Sequence, residues 1–369
     1  MMAVRKWFLG ILLGVIAAPA LAQDTTAIQP WTCPVGFEGQ ALHVYNWTTY
    51  VAEDTISNFE QLCGVTVTYD TYDGLDTLVT ALQGGNPGYD IAVPTDYTIP
   101  DLISEGLLEP LDLSKIKNFV ANVSADLTHP WYDPDNHYTV PYQWGTIGIG
   151  YDHNKVGQDV NSWNQLFQYQ GPVAWLDDRR SMFGIALKML GFDPNSSSPD
   201  EVNAAKQFLI DNGKNLHEIA PDDGQEKLVR GEDDMVIEYS GDIFQKIDEC
   251  SSDPSCKADY RYVIPQEGAI IWVDNVVIPK GAPNIALAHA FIDYLLDAQV
   301  GADISNYTSY ATPNQKAIDM ILIDEDLFNN LAIYPSDEVR KNLFSIKPDP
   351  STDQLYDTAW NELKTALGK

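Results

Sequence analysis

Six separated segments of the chain share one trait: each follows a strand-like run and carries an aromatic, a hydroxyl or a carboxylate. They are Trp47 to Tyr50, Thr95-Asp96-Tyr97, Asp177 to Ser181, Tyr239 to Asp242, Trp272-Val273-Asp274 and Tyr307 to Tyr310. Loops at strand ends are where α/β sheets hold their ligands. Brought together, these would make a box walled by Trp47, Tyr50, Tyr239, Trp272 and Tyr310, with Asp242 and Asp274 at its floor. Ammonium groups suit such a box. A ring face attracts an organic cation by roughly 0.5 to 2 kcal/mol, and a hydrogen bond from an amine to a carboxylate contributes about 1.5 to 3 kcal/mol. A carboxylate in a dry cleft is costly until a cation completes it.

Structural roles compete for the same residues. The stretch Tyr45 to Tyr50 can close a core as an aromatic corner. Asp96, Asp178 and Asp242 each stand where a helix N-cap is wanted. Tyr97 and Tyr307 suit packing. Trp272 and Asp274 resist such explanations, because at period 2 they share one face of a strand inside an otherwise apolar run, Ile270 to Ile278. Paired aspartates also suit acid and base work on a glycan, but no nucleophile motif, metal pair or cofactor loop accompanies them.

The elements that must position these loops alternate along the chain. Leu42 to Tyr45 reads as a strand, Val51 to Leu62 as a helix stopped by Gly64, Val65 to Tyr69 as a second strand, Leu75 to Leu82 as a helix, Tyr89 to Val93 as a strand and Ile99 to Gly106 as a helix. This order predicts a mostly parallel sheet with crossover helices. The segment Asp133 to Asp152 crosses into a second domain. There, Val173 to Leu176 and Met235 to Glu238 read as strands, and Ser181 to Leu190 as a helix. Ile270 to Ile278 returns to the first domain, and Pro283 to Leu296 is a helix with Pro283 as its first residue. The fold class is therefore α/β with a cleft between two lobes joined by hinge strands. One lobe spans 41–143 and 275–311, the other 144–274 and 312–369.

Residues 1–22 read as a cleavable secretory signal, with Arg5 and Lys6, the apolar run Trp7 to Ala18, and Ala20-Leu21-Ala22 at the cleavage site. A polar arm follows over residues 23–40. These features predict a periplasmic protein. The net charge is −31, and loss of Arg5 and Lys6 makes it more negative by two. Such a field repels nucleic acid and anionic lipid and attracts cations, although a salt-adapted surface also accounts for it. Four cysteines suit an oxidising compartment and allow three pairings. Cys250 with Cys256, across the turn-rich Ser251 to Ser255, and Cys33 with Cys63, tying the arm to the first helix, are favoured. A metal site is the rival, but the spacing lacks a C-x-x-C pair and the histidines are scattered singly.

An ordered series of segments resembles the periplasmic spermidine- and putrescine-binding proteins of ABC transporters. It runs from Tyr45 to Tyr50 through Asp90 to Pro94, Pro141 to Gly145 leading into Ile147 to Tyr151, Glu267 to Ala269 with Trp272 and Asp274, and Tyr310 to Asn314. The ending, with Tyr334-Pro335-Ser336, Val339-Arg340, Leu343-Phe344 and Ala359-Trp360, is closer to the putrescine-binding branch. The likeness covers about residue 41 to the C-terminus. It implies a type II periplasmic binding fold without catalysis or cofactor, a monomer that closes over a small linear polyamine and delivers it to a permease in the inner membrane. Carried over by position, the aromatic box falls on Trp47, Tyr50, Tyr239, Trp272 and Tyr310. The hydroxyl contacts fall on Thr48 and Thr95, and the central carboxylates on Asp242 and Asp274.

Two departures stand out. The family usually has an acid where this chain has Thr49, and a glutamate where it has Ser181. One end of the ligand then lacks a carboxylate partner unless Asp178 or Asp96 substitutes. Putrescine is the first candidate, with a monocationic amine, an acylated diamine, agmatine or 4-aminobutyrate as alternatives.

Overall fold

The computed structural model describes residues 30–369; the expected signal over 1–22 and the first part of the arm lie outside them. The first sheet holds strands β1 (Ala41–Trp47), β2 (Thr66–Tyr72) and β3 (Ile91–Ala92), all parallel, in the order β2-β1-β3. Helices Thr55–Cys63 and Leu75–Gln83 provide the crossovers. The first begins later than the apolar periodicity suggests, and Gly64 stops it in a left-handed conformation, φ 65°.

The second sheet is mixed. It holds β4 (Val140–Asp152), β5 (Val173–Leu176), β6 (Leu216–Ala220), β7 (Met235–Tyr239), β8 (Tyr260–Val263) and β9 (Ile270–Val276), with path β6-β5-β7-β4-β8 and β9 also on β4. The β5 pairs are parallel, whereas β4 runs antiparallel to β7, β8 and β9. All thirteen residues of β4 are buried, which is why its sequence is a near-continuous apolar run without alternation.

Two strands of this sheet reach the first one. The first half of β4 pairs with β9, Gln143 opposite Asp274 and Gly145 opposite Trp272. Beyond β9, Ala92 and Val277 exchange backbone hydrogen bonds of 3.1 and 2.9 Å, and the Asn275 N–H donates to the Pro94 carbonyl at 2.9 Å. A third pass is made by Ala311, which exchanges backbone bonds with Trp144 at 3.1 and 3.2 Å. The architecture is thus two α/β lobes, with strand-end loops beside the crossing strands.

Each lobe has its own helical cover. Helix Ile285–Leu295 buries Leu287, Phe291 and Leu295, and it is capped by the Asn284 side chain, so Pro283 falls just before the helix instead of opening it. On the other lobe, helix Arg179–Met189 packs with Pro199–Asn212 and the C-terminal helix Asp353–Leu367. Phe183 meets Tyr356 edge to face at 5.4 Å. Both expected disulfides form: Cys33–Cys63 pins the arm to the first helix, and Cys250–Cys256 closes the turn after helix Ser240–Ser252. Among the described residues, no helix is long and apolar enough to cross a membrane.

Candidate functional site

The strand ends converge on a slot lined by Trp47, Thr48, Tyr50, Thr95, Tyr239, Asp242, Trp272, Asp274 and Tyr310, together with Asp222. Its empty space is about 330 Å³.

Trp47 ends β1, and its indole N–H donates to the Val93 carbonyl at 3.0 Å, so the ring is fixed against β3. Tyr50, Tyr310, Trp272 and Tyr239 then form a chain of edge-to-face contacts. Tyr50 meets Tyr310 at 5.3 Å and 85°, Tyr310 meets Trp272 at 5.2 Å and 70°, and Trp272 meets Tyr239 at 5.8 Å and 88°. Such pairs contribute roughly 0.5 to 1.5 kcal/mol each beyond their burial and hold the walls in place. Gly241 is needed for this packing, because a Cβ there would lie 2.5 Å from the Tyr310 ring. The Tyr50 hydroxyl and the Trp272 indole N–H are buried without a hydrogen-bond partner.

The two central carboxylates are held from opposite sides. Asp274, on β9, accepts a 2.6 Å hydrogen bond from the Thr95 hydroxyl, across the bridge that joins Thr95 to Asp274. Asp242, in the first turn of helix Ser240–Ser252, accepts from the Tyr310 hydroxyl at 2.8 Å. Burial pushes Asp274 up to about 7, against the hydrogen bond from the Thr95 hydroxyl and with help from the charge of Asp242. Burial likewise pushes Asp242 up to about 6, opposed by Tyr310 and Lys246. A cation in the slot would restore both to full charge.

Three residues expected in the site line an adjoining pocket instead. Asp96, Asp178 and Ser181 lie there with Tyr97, beside Thr95, Tyr239 and Trp272, which border both spaces. Asp178 caps its helix: Oδ1 accepts from the Arg180 and Ser181 N–H groups at 2.9 and 3.1 Å, and Oδ2 from the Ser181 and Tyr97 hydroxyls at 2.9 and 3.1 Å. Its lone pairs are committed. Asp96 is buried in a short 3₁₀ turn, and burial pushes it well above the usual carboxylate range. Sequence reasoning passed over Asp222, in the loop after β6, because Pro221-Asp222-Asp223-Gly224 reads as a turn leading into a helix.

Fold and slot together define a solute receptor whose binding space is walled by aromatic rings and floored by carboxylates. The chain belongs to the family described as bacterial extracellular solute-binding protein, whose model matches residues 54–330. It is 33% identical to the putrescine-binding periplasmic protein SpuD of Pseudomonas aeruginosa, over 89% of this chain and 93% of that one. It is 30% identical to the putrescine-binding periplasmic protein PotF of Escherichia coli, over 98% of each chain. Among solved structures it resembles the spermidine/putrescine substrate-binding protein PotD of Streptococcus pneumoniae, with TM-score 0.76 and 30% identity, covering 89% of this chain and 100% of that one.

Proposed function

We propose that this protein captures a short linear polyamine, a putrescine-like diamine first, in the periplasm and delivers it to an ABC permease. The observation that carries the reading is the slot, where Asp274 and Asp242 face aromatic walls and the positive groups are left for the ligand to supply. Ring faces cover the methylenes and the carboxylates take the ammonium ends. The names of SpuD, PotF and PotD support the same ligand class. Trp47, Thr48, Tyr50, Thr95, Tyr239, Asp242, Trp272, Asp274 and Tyr310 make the contacts, and Asp96, Asp178 and Ser181 frame the wall beside them.

Residues 1–22 serve as the cleaved export signal, and the protein acts as a monomer without cofactor or catalysis. The lobes divide at 143/144, 274/275 and 311/312, where the crossing strands lie, and the ligand shifts the balance from open to closed. Calorimetry against putrescine, cadaverine, spermidine, agmatine, N-acetylputrescine and 4-aminobutyrate tests the ligand. Heat and saturation with a diamine are expected; silence from every amine would refute the reading.

A further inference from the structure

Thr49 and Ser181 bring no carboxylate to the slot, but two acids outside the expected set stand beside it. Asp222 lies in the slot wall, and behind it Glu238 projects from β7. One carboxylate oxygen each from Asp222, Glu238 and Asp242 lie within 4.8 Å of one another. Glu238 is fully buried; its Oε1 accepts the Tyr239 N–H at 2.9 Å, and its Oε2 has no hydrogen-bond partner. Space has been made for that group, since a Cβ at Gly224 would lie 2.4 Å from Oε2. Among the described residues, no lysine, arginine or histidine forms an ion pair with any of the three. The neighbouring lysines are engaged elsewhere, Lys227 with Glu218 and Asp223, and Lys246 with Glu226 and Glu249.

Three converging carboxylates, one with an orphaned and wholly buried oxygen, are unstable as charges without a cation. The slot continues directly to them, because Asp222 and Asp242 both form part of its lining. We propose that Asp222, Glu238 and Asp242 form a primary-ammonium subsite, separate from the Asp274–Thr95 pair, so that the slot selects a ligand with two free amine ends. An ammonium has three N–H donors and no acceptor, one donor for each carboxylate. Burial, then the charge of Asp242, pushes Glu238 well above the usual range; Asp222 is raised by burial and by Asp242 and Glu238. A bound ammonium relieves that repulsion.

The inference rests on the polyamine reading and predicts more than it. A ligand with one free amine, such as butylamine or N-acetylputrescine, fills only one of the two subsites and binds at least tenfold more weakly than putrescine. Glu238→Gln and Asp222→Asn are isosteric changes that each remove one charge; thermal melts establish that the variants fold, and Asp222 is less buried than Glu238, so its variant keeps the test open if the buried one fails. Calorimetry with putrescine and butylamine on wild type and both variants is the experiment. Each variant is expected to weaken putrescine at least tenfold and to shrink its preference over butylamine. Diamine binding by the wild type with variants within twofold of it would overturn the subsite and leave the functional reading intact. If calcium or manganese chloride raises the wild-type melting temperature and displaces putrescine, but does neither in Glu238→Gln, the three carboxylates are a metal site and the proposal fails. A wild type that binds no amine ends both.

Discussion

At the scale of single residues, the slot concentrates its energetics in a few side chains. Asp274 has a fixed hydroxyl donor in Thr95, and Trp272 is the ring that touches both Tyr239 and Tyr310. Asp274→Ala and Trp272→Ala should each weaken binding of the best amine about tenfold or more, roughly 1.4 kcal/mol, measured by calorimetry. Unchanged affinity in either would place the ligand elsewhere. Thr49 offers a different kind of test, because it holds φ 48°, a left-handed conformation that strains a β-branched side chain. Thr49→Asn, a residue that tolerates this region, should raise stability by about 1 kcal/mol in urea unfolding and leave the amine affinity within a few fold. What was legible in the sequence at this scale follows from local pattern. Trp272 and Asp274 stood out because period 2 put both on one strand face amid apolar neighbours. Asp222 and Glu238 did not, because the former imitates a helix cap and the latter looks like one polar residue in a strand. Only the tertiary approach of the loop after β6 to β7 brings them together.

At the scale of elements, the strands and helices with strong periodicity emerged within a few residues of their observed limits, as Val173–Leu176 and Leu75–Gln83 do. The direction of β4 was not readable. A wholly buried strand has no alternation, and nothing local tells that its neighbours β7, β8 and β9 run the other way. The short, half-buried β8 and the C-terminal helix Asp353–Leu367 were equally silent, the helix because its apolar stripe acquires meaning only against helices Arg179–Met189 and Pro199–Asn212. The Cys33–Cys63 bridge ties the N-terminal arm to helix Thr55–Cys63. Its partners are 30 residues apart, so chain-entropy arguments assign it about 3.5 kcal/mol. The double variant Cys33→Ser/Cys63→Ser should lose about that much stability in denaturant unfolding. Amine affinity should persist, since neither cysteine lines the slot. A loss of binding without a loss of stability would show that the arm contributes to the ligand site.

At the scale of the whole molecule, a chain of net charge −31 keeps a concentrated set of carboxylates away from water where its lobes meet. The exterior field draws cations in and should make association slower at high salt; the interior set decides whether they stay. Asp274 and Asp242 have folded-state values of about 7 and 6, above the ordinary carboxylate range, so each holds its proton in the empty protein where the unfolded chain has already lost it. The sign follows directly: stability of the ligand-free protein is highest below about pH 4 as far as these groups are concerned, and it declines as pH rises through 6 and 7. A diamine reverses the balance, because it binds the ionised forms and must expel those protons to do so. Groups facing the pair include the hydroxyls of Thr95, Tyr50 and Tyr310, the carboxylates of Asp96, Asp222 and Glu238, and Lys246 at longer range; of these, only Lys246 is cationic. Affinity for putrescine should therefore rise steeply from pH 5 to pH 7, by up to about tenfold per pH unit for each proton released, and flatten above pH 7 as Asp274 completes its ionisation while the amine ends stay charged. Calorimetry at pH 5, 6, 7 and 8, repeated in buffers of different ionisation enthalpy, counts the protons. A flat profile with no proton release would mean that the carboxylates of the slot are already charged before the ligand arrives, and that the energy for closing the lobes comes from the aromatic walls alone.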